Sequence, residues 1–223
     1  MKSFAAELLG TFLLVFMGTA SVVVNNDTSA LGLVGVSVAW GLAVMALIYA
    51  LGDVSGCHIN PAVTLGLWVA KRCPSAKVIP YIVAQCAGAL LASLAVQWVL
   101  GPHDNLGGTQ PGTGIDPMNA FYLEVFLTFL LMFTVLCVNS GSREKGHLAG
   151  AVVGMVIILD VLVGGPISGA SMNPARSLGP AIISRYPQQM ESLWLYLTAP
   201  VAGAVLAVVC WWIVYPNHDA KTD

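Results

Sequence analysis

The chain has 223 residues, of which 57% are hydrophobic and 9% are charged, and its formal net charge is −2. Soluble domains carry about 25% charged residues, so this composition excludes an ordinary soluble protein and indicates an integral protein of the lipid bilayer. No basic cluster suggests nucleic-acid binding, and we expect no nucleic-acid partner.

Six apolar stretches of the sequence are long enough to span the hydrocarbon core, which takes about 17 to 25 helical residues. They are predicted near 5–24, 31–51, 79–99, 119–138, 147–164 and 193–214. The first is not expected to be a cleavable signal peptide, because it carries Glu7 within its apolar run and lacks a good cleavage site. The sequence therefore predicts an all-α membrane protein.

Two segments between the spans, 52–69 and 164–183, are too short or too polar to be further full spans. Each contains the tripeptide Asn-Pro-Ala, formed by Asn60, Pro61 and Ala62 and by Asn173, Pro174 and Ala175. Asn is a preferred helix N-cap, and Pro at the first helical position loses no needed hydrogen bond. We therefore predict two re-entrant segments, each with an irregular first part and a half-helix, that meet near the middle of the bilayer.

The two halves of the sequence match each other. Glu7 and Glu124 match at an offset of 117 residues, and Asn60 and Asn173 match at an offset of 113. Each half has three spans, an odd number, so the second half must enter the membrane from the opposite side. The sequence therefore predicts a single transmembrane domain, 1–223, built from inverted repeats at approximately 1–100 and 118–215.

The Lys and Arg residues outside the spans lie mainly on one predicted side of the membrane, which is the pattern of cytoplasmic loops. They are Lys2, Lys71, Arg72, Lys77, Arg143, Lys145 and Lys221, whereas the loops at 25–30 and 101–118 contain none. We therefore predict a protein of the cell (inner) membrane with both termini in the cytoplasm. The five cysteines show no spacing typical of a metal site, and we expect no metal and no cofactor.

In its motifs the sequence resembles the major intrinsic proteins, the aquaporins and glycerol facilitators, over nearly the whole chain. The resemblance rests on the two Asn-Pro-Ala motifs in their contexts, 55–64 and 168–177, and on Glu7 and Glu124 early in spans one and four. The run 165–182 is most similar to the plant nodulin-like intrinsic proteins and their bacterial relatives. The resemblance implies the aquaporin fold, a homotetramer with one pore per subunit, and passive transport rather than enzymatic activity.

Arg176 follows the second motif, and a charge within a membrane segment is costly unless it faces a polar cavity. The resemblance places it in a selectivity filter together with Trp40, Val161 and Ala170. A strict water pore usually has His in place of Val161, so this ring is expected to be wider and more apolar. It implies passage of glycerol, ammonia and metalloid hydroxides such as arsenite or boric acid, as well as water. A strict water-selective aquaporin is the alternative.

The remaining candidate residues support the pore. Asn60 and Asn173 are expected to cap their half-helices with the side-chain oxygen and to direct amide N–H groups into the pore, so that protons and ions are excluded. Glu7 and Glu124 are expected to accept hydrogen bonds from the backbone of the re-entrant segments. Cys57, three residues before Asn60, is expected to approach the pore as Ala170 does in the other half.

Asp160, beside Val161 in span five, has no role that the resemblance supplies. Its carboxylate either faces the lumen near the filter, where it attracts cations and pairs with Arg176, or bonds to a neighbouring span. Inverted repeats with broken helices also build proton-coupled secondary transporters. That alternative function needs an ionisable group near the midplane, and Asp160 is the candidate. No Ser–His pair or metal-ligand set is visible within the spans, so an enzyme is not expected.

Overall fold

The computed structural model describes residues 1–139 and 146–216, and all regular secondary structure in these ranges is helical. The helices are α1 Lys2–Thr28, α2 Gly32–Ser55, α3 Pro61–Val69, α4 Ser75–Leu100, α5 Pro117–Asn139, α6 Ala149–Ser168, α7 Pro174–Ser184 and α8 Pro187–Val214. Six of them are long and apolar enough to cross a membrane, while α3 and α7 are the two half-helices. Arg143, Lys145 and Lys221, which contribute to the predicted orientation, lie outside the described residues.

The predicted all-α fold with six spans is confirmed, and most of the helices are longer than the apolar runs that predicted them. For example, the span expected at 193–214 is part of α8, which begins at Pro187. An apolar run marks the hydrocarbon core, whereas a membrane helix can continue into the headgroup region. Prolines within helices did not end them, since membrane helices tolerate Pro where neighbouring groups satisfy the freed carbonyl. These prolines are Pro80, Pro166, Pro180 and Pro200.

The two halves pack in the same way and contact each other through their second helices. Helix α1 packs on α4, α5 packs on α8, and α2 packs on α6 across the repeat. Gly41 and Gly154 allow the cross-repeat contact, because a Cβ on either would lie 2.5 Å or 2.7 Å from the carbonyl oxygen of the other. Small residues allow this close approach in membrane bundles. The half-helices also pack across the repeat, α7 on α4 and α3 on α8.

The half-helices begin where the N-cap pattern predicts. The Asn60 side-chain oxygen accepts a hydrogen bond from the Ala62 N–H at 2.9 Å, and Pro61 occupies the first turn of α3. In α7 the Asn173 oxygen accepts from the Ala175 N–H at 3.0 Å and more weakly from the next N–H. Both motifs therefore start helices inside the bundle, with their N-termini directed at each other.

Candidate pore and selectivity filter

A cavity of about 420 Å³ lies within the bundle between the two halves. The mouth nearest the start of α6 is lined by Tyr49, Asp53 and His147. Further in, the cavity passes the Asn-Pro-Ala motifs, and all four predicted filter residues line it as well. The structure thus brings the two Asn side chains and the four filter positions together along one path.

The irregular parts of both re-entrant segments have the same unusual backbone. Cys57 and Ile59 adopt positive φ angles of 48° and 44°, and Ala170 and Met172 adopt 44° and 53°. Non-glycine residues in this left-handed region cost about 1–2 kcal/mol each. The surrounding structure must therefore compensate a strained backbone in each half.

Glu7 supplies this compensation in the first half. Its carboxylate is fully buried and accepts from the Ser55 hydroxyl at 2.6 Å and from the backbone N–H groups of His58 and Ile59 at 2.9 and 2.6 Å. It also accepts from the Gln85 side chain on α4 at 2.8 Å. This role of Gln85 was not predicted from the sequence, although a glutamine within an apolar span commonly hydrogen-bonds to a neighbouring helix.

Glu124 occupies the matching place in the second half. It is fully buried and accepts from the Ser168 hydroxyl at 2.7 Å and from the N–H groups of Ser171 and Met172 at 2.8 Å each. The geometry therefore places both predicted carboxylates where they hold the irregular backbone of a re-entrant segment in place.

Two tyrosines complete these supports and were not predicted. The Tyr81 hydroxyl donates to the Ser55 carbonyl at 2.8 Å, and the Tyr196 hydroxyl donates to the Ser168 carbonyl at 2.6 Å. Both tyrosines are almost completely buried. Each one satisfies a carbonyl at the point where a membrane helix ends and a re-entrant segment begins, which buried backbone requires.

The two Asn side chains also connect the halves to each other. The Asn60 amide donates to the Met172 carbonyl at 2.8 Å, and the Asn173 amide donates to the Ile59 carbonyl at 2.9 Å. An Asn amide has two N–H groups. With the oxygen used by the cap and one N–H used by the opposite segment, a single N–H of each Asn is left for the cavity.

The four predicted filter residues all line the cavity, and one of them, Arg176, is cationic. Trp40 and Val161 are each 6% exposed, and Ala170 and Arg176 are each 4% exposed. The Arg176 guanidinium carbon lies 4.5 Å from the centre of the Trp40 ring, which is cation–π geometry. Gly18 on α1 makes room for the indole, because a Cβ there would lie 2.3 Å from the ring.

The loop between α4 and α5 contacts Arg176 and its neighbour Ser177 and holds them in place. These contacts were not predicted from the sequence. The Gly107 carbonyl accepts from the Arg176 guanidinium at 3.1 Å, and Thr109 donates to Ser177 at 2.7 Å. At the outer end of the loop, His103 lies 3.0 Å from Asp27. The Gly101 carbonyl and the Asp27 carboxylate raise the pKa of His103, because both stabilise the protonated ring.

Asp160 does not face the lumen, contrary to one of the two sequence-based interpretations. It is 1% exposed and is absent from the described lining of the cavity, whereas Val161 belongs to that lining. Successive residues of a helix point about 100° apart, so Asp160 is turned away when Val161 faces the pore. The other interpretation was that the Asp160 carboxylate bonds to a neighbouring span. The Oδ2 atom of Asp160 does not support it, because this atom has no hydrogen-bond partner among the described residues.

Cys57 lines the cavity and is 6% exposed, so we predict that mercurial thiol reagents block flux through the pore. The bulky adduct would occupy the narrow path close to Asn60. Water flux in proteoliposomes should fall after treatment of the wild type and remain unchanged in Cys57→Ser. Cys86→Ser is the matched control and should stay sensitive, because Cys86 is absent from the described lining. Unchanged inhibition of Cys57→Ser would contradict the prediction.

Comparison with known proteins agrees with this geometry. The family model of the major intrinsic proteins matches residues 1–211. Nodulin-26 of Glycine max is 42% identical over 208 residues, which are 92% of this chain and 74% of the relative. Aquaporin NIP1-1 of Oryza sativa subsp. japonica is 46% identical over 202 residues, which are 90% of this chain and 69% of the relative.

A solved structure with the same fold is the aquaglyceroporin from Plasmodium falciparum. It superposes with a TM-score of 0.86 at 26% sequence identity, and the match covers 98% of both chains. The family and its aquaporin members are channels rather than enzymes. The chain belongs to the major intrinsic protein family and is a passive transmembrane channel for water and small solutes.

Proposed function

We propose that this channel conducts glycerol, ammonia and uncharged metalloid hydroxides such as arsenite or boric acid in addition to water, and that it excludes protons and ions. The observation that carries the proposal is that Trp40, Val161, Ala170 and Arg176, the predicted filter ring, line one cavity. Three members offer apolar surface and one is a cationic hydrogen-bond donor. The similarity to an aquaglyceroporin supports a pore of this type.

The chemistry of the ring suits a small hydroxylated solute. Such a molecule can place its carbon or metalloid side against Trp40 and Val161 while a hydroxyl accepts from the Arg176 guanidinium. A His in place of Val161 would add a polar group and volume to the ring. Water would still fit, but the apolar side of a larger solute would lose its space.

Proton exclusion is proposed to depend on Asn60 and Asn173. Each has one amide N–H left for the cavity, since its other groups bond to its half-helix and to the opposite segment. A water molecule between the two accepts from both amides and so uses both lone pairs of its oxygen. It can then donate to the waters on either side but cannot accept a hydrogen bond or a proton from them, which interrupts proton transfer along the pore. The two helix N-termini add about half a positive charge each, which opposes cations at the same point.

Stopped-flow light scattering on proteoliposomes tests the permeant class. Under an osmotic gradient of sucrose and then of glycerol, we expect fast shrinkage in both and fast re-swelling only with glycerol. In Val161→His, glycerol re-entry should fall by about tenfold or more, because the added ring fills the apolar side of the filter. Water flux should change little, and Val163→His, outside the described cavity lining, is the matched control. Shrinkage without glycerol re-entry in the wild type would favour the strict water pore.

The proton-coupled transporter is the weaker candidate. Its required group, Asp160, lies outside the cavity lining among the described residues. Asn60 and Asn173, which do line the cavity, do not titrate. A pH gradient should therefore leave glycerol flux unchanged, because glycerol itself does not titrate.

We further propose a homotetramer in the inner membrane with both termini cytoplasmic, each subunit being one domain with repeats at 1–100 and 118–215. A shallow groove on the outer face of α8, whose lining includes Leu197, Leu206 and Val209, supports assembly, because association in lipid depends on packing and a groove can receive side chains of a neighbouring subunit. The positions of Lys2, Lys71 and Lys77 support the orientation. Cross-linking in membranes and protease access to a terminal tag test these two points.

A further inference from the structure

The turn between α3 and α4 carries a dense group of positive charges. Lys71, Arg72 and Lys77 lie within seven consecutive residues and are all exposed; they are called the α3–α4 basic patch below. The chain has nine Lys and Arg residues in total. A third of them are therefore concentrated in one short turn of a protein that has few charges.

The backbone and two aromatic rings fix where these charges lie. The Arg72 N–H donates to the Leu67 carbonyl at 2.7 Å, so the chain folds back tightly after α3. The Arg72 guanidinium carbon lies 5.4 Å from the centre of the Trp211 ring, and the Lys77 ammonium lies 5.8 Å from the centre of the Tyr81 ring. Two of the three positive charges, those of Arg72 and Lys77, are therefore held against aromatic rings.

The patch lies at the boundary between the charged surface and the apolar membrane face. Trp68 is 45% exposed, and its indole N–H donates to the Ser75 hydroxyl at 3.0 Å. Ile79 and Val83, which follow Lys77 on α4, are 67% and 55% exposed and apolar. Tryptophan is enriched at the headgroup level of membranes. A ligand bound to this surface would thus contact positive charges, the Trp68 indole and the apolar side chains of α4.

The second repeat provides an internal comparison. Arg185 follows α7 with a φ of 54°, as Lys71 follows α3 with a φ of 59°. At the same offset of 114 residues, the positions that match Arg72 and Lys77 are Tyr186 and Glu191, which are neutral and acidic. The positive patch is therefore a feature of one junction and is not required by the repeat fold.

We propose that the α3–α4 basic patch binds the phosphate headgroup of an anionic lipid, with the acyl chain along the apolar face of α4. Among the described residues, the salt bridge found is that of His103 with Asp27, so Lys71 and Lys77 have no carboxylate partner there. Basic residues beside membrane helices attract anionic lipids. Bound lipid would stabilise the C-terminal end of α3. The N-terminal end of this half-helix is capped by Asn60 in the pore.

Tryptophan quenching by brominated lipid tests the proposal. The full-length channel is reconstituted in phosphatidylcholine containing increasing brominated phosphatidylglycerol, or brominated phosphatidylcholine as the baseline. We expect extra quenching by phosphatidylglycerol that saturates at a low mole fraction and disappears in Trp68→Phe. In Lys71→Gln/Lys77→Gln the apparent affinity for phosphatidylglycerol should fall by about fivefold for each charge removed.

The control is Arg185→Gln, which removes one charge at the matching position of the other junction and should leave the quenching curve unchanged. An equal loss in Arg185→Gln and in Lys71→Gln would show a general charge effect and overturn the proposal. Wild-type quenching in the double variant would overturn it as well. The proposal would also be overturned if inorganic phosphate, but not chloride of equal ionic strength, abolished the extra quenching by phosphatidylglycerol. The ligand would then be a soluble anion. Each variant is checked for folding by its melting temperature.

Discussion

Replacing Glu124 by alanine is expected to lower the melting temperature of the purified channel by about 10 °C or more. The substitution leaves the Ser171 and Met172 N–H groups and the Ser168 hydroxyl without their shared acceptor in a fully buried site. A buried donor without a partner costs about 1–3 kcal/mol, and more when its acceptor was charged. The total is therefore a large part of the net stability of a typical domain, about 5–15 kcal/mol. Tryptophan fluorescence during heating in detergent measures the change.

Two substitutions separate this cause from the loss of packing. Thr128→Val changes another fully buried side chain one turn away, whose hydroxyl donates only to the Glu124 carbonyl. It should cost about 1 kcal/mol. Glu124→Gln keeps the shape and one acceptor oxygen but turns an NH₂ group towards donors, so its melting temperature should lie between those of the wild type and Glu124→Ala.

The first repeat predicts the same result at Glu7. This carboxylate accepts four hydrogen bonds, one more than those found for Glu124, because Gln85 also donates to it. Glu7→Ala should therefore be at least as destabilising as Glu124→Ala. A wild-type melting temperature in both variants would show that the hydrogen bonds of Asn60, Asn173, Tyr81 and Tyr196 hold the re-entrant segments without the carboxylates.

The parts of this structure that the sequence predicts depend on local rules. An apolar run of sufficient length has to be a helix in lipid, because no other conformation satisfies its backbone. An Asn followed by Pro starts a helix through contacts within three residues, and both half-helices begin there. Because the two halves of the sequence match, the second Asn-Pro-Ala motif is predicted to take the same place in its half as the first motif takes in the other.

The parts that the sequence does not predict depend on contacts between distant residues. The Gly107 carbonyl reaches Arg176 from a loop with no periodic pattern, and the bond joins residues 69 positions apart. The bonds from Asn60 and Asn173 to the opposite segments span 112 and 114 positions. Asp160 shows the converse, because its place beside Val161 in sequence suggested a lumenal carboxylate that the helix geometry excludes. Adjacent residues on a helix do not share a face.

Replacing Arg176 by leucine is expected to increase the leak of protons and cations through the pore, because it removes one of two barriers and leaves the other, at Asn60 and Asn173. Among the described residues that line the cavity, Arg176 is the one Lys or Arg. Two histidines also line it, His58 near the first Asn-Pro-Ala motif and His147 at the mouth. At about 4 Å and an effective dielectric constant of about 20, two unit charges repel by about 4 kcal/mol. Removing that barrier corresponds to an increase in cation passage of about a thousandfold if no other barrier limits the rate. A pH-sensitive dye inside proteoliposomes, under an imposed potential, measures the leak.

Arg176→Lys distinguishes charge from shape in this prediction. Lysine keeps the positive charge, but it lacks the planar guanidinium that lies over Trp40 and donates to Gly107. It should remain tight to protons while its ratio of glycerol to water flux changes. Arg185→Leu, outside the pore lining, is the control and should leave both properties unchanged. If Arg176→Leu stays as tight as the wild type, the barrier lies at Asn60 and Asn173. If Arg176→Lys leaks as much as Arg176→Leu, exclusion depends on the fitted geometry of the ring, because the charge itself would still be present.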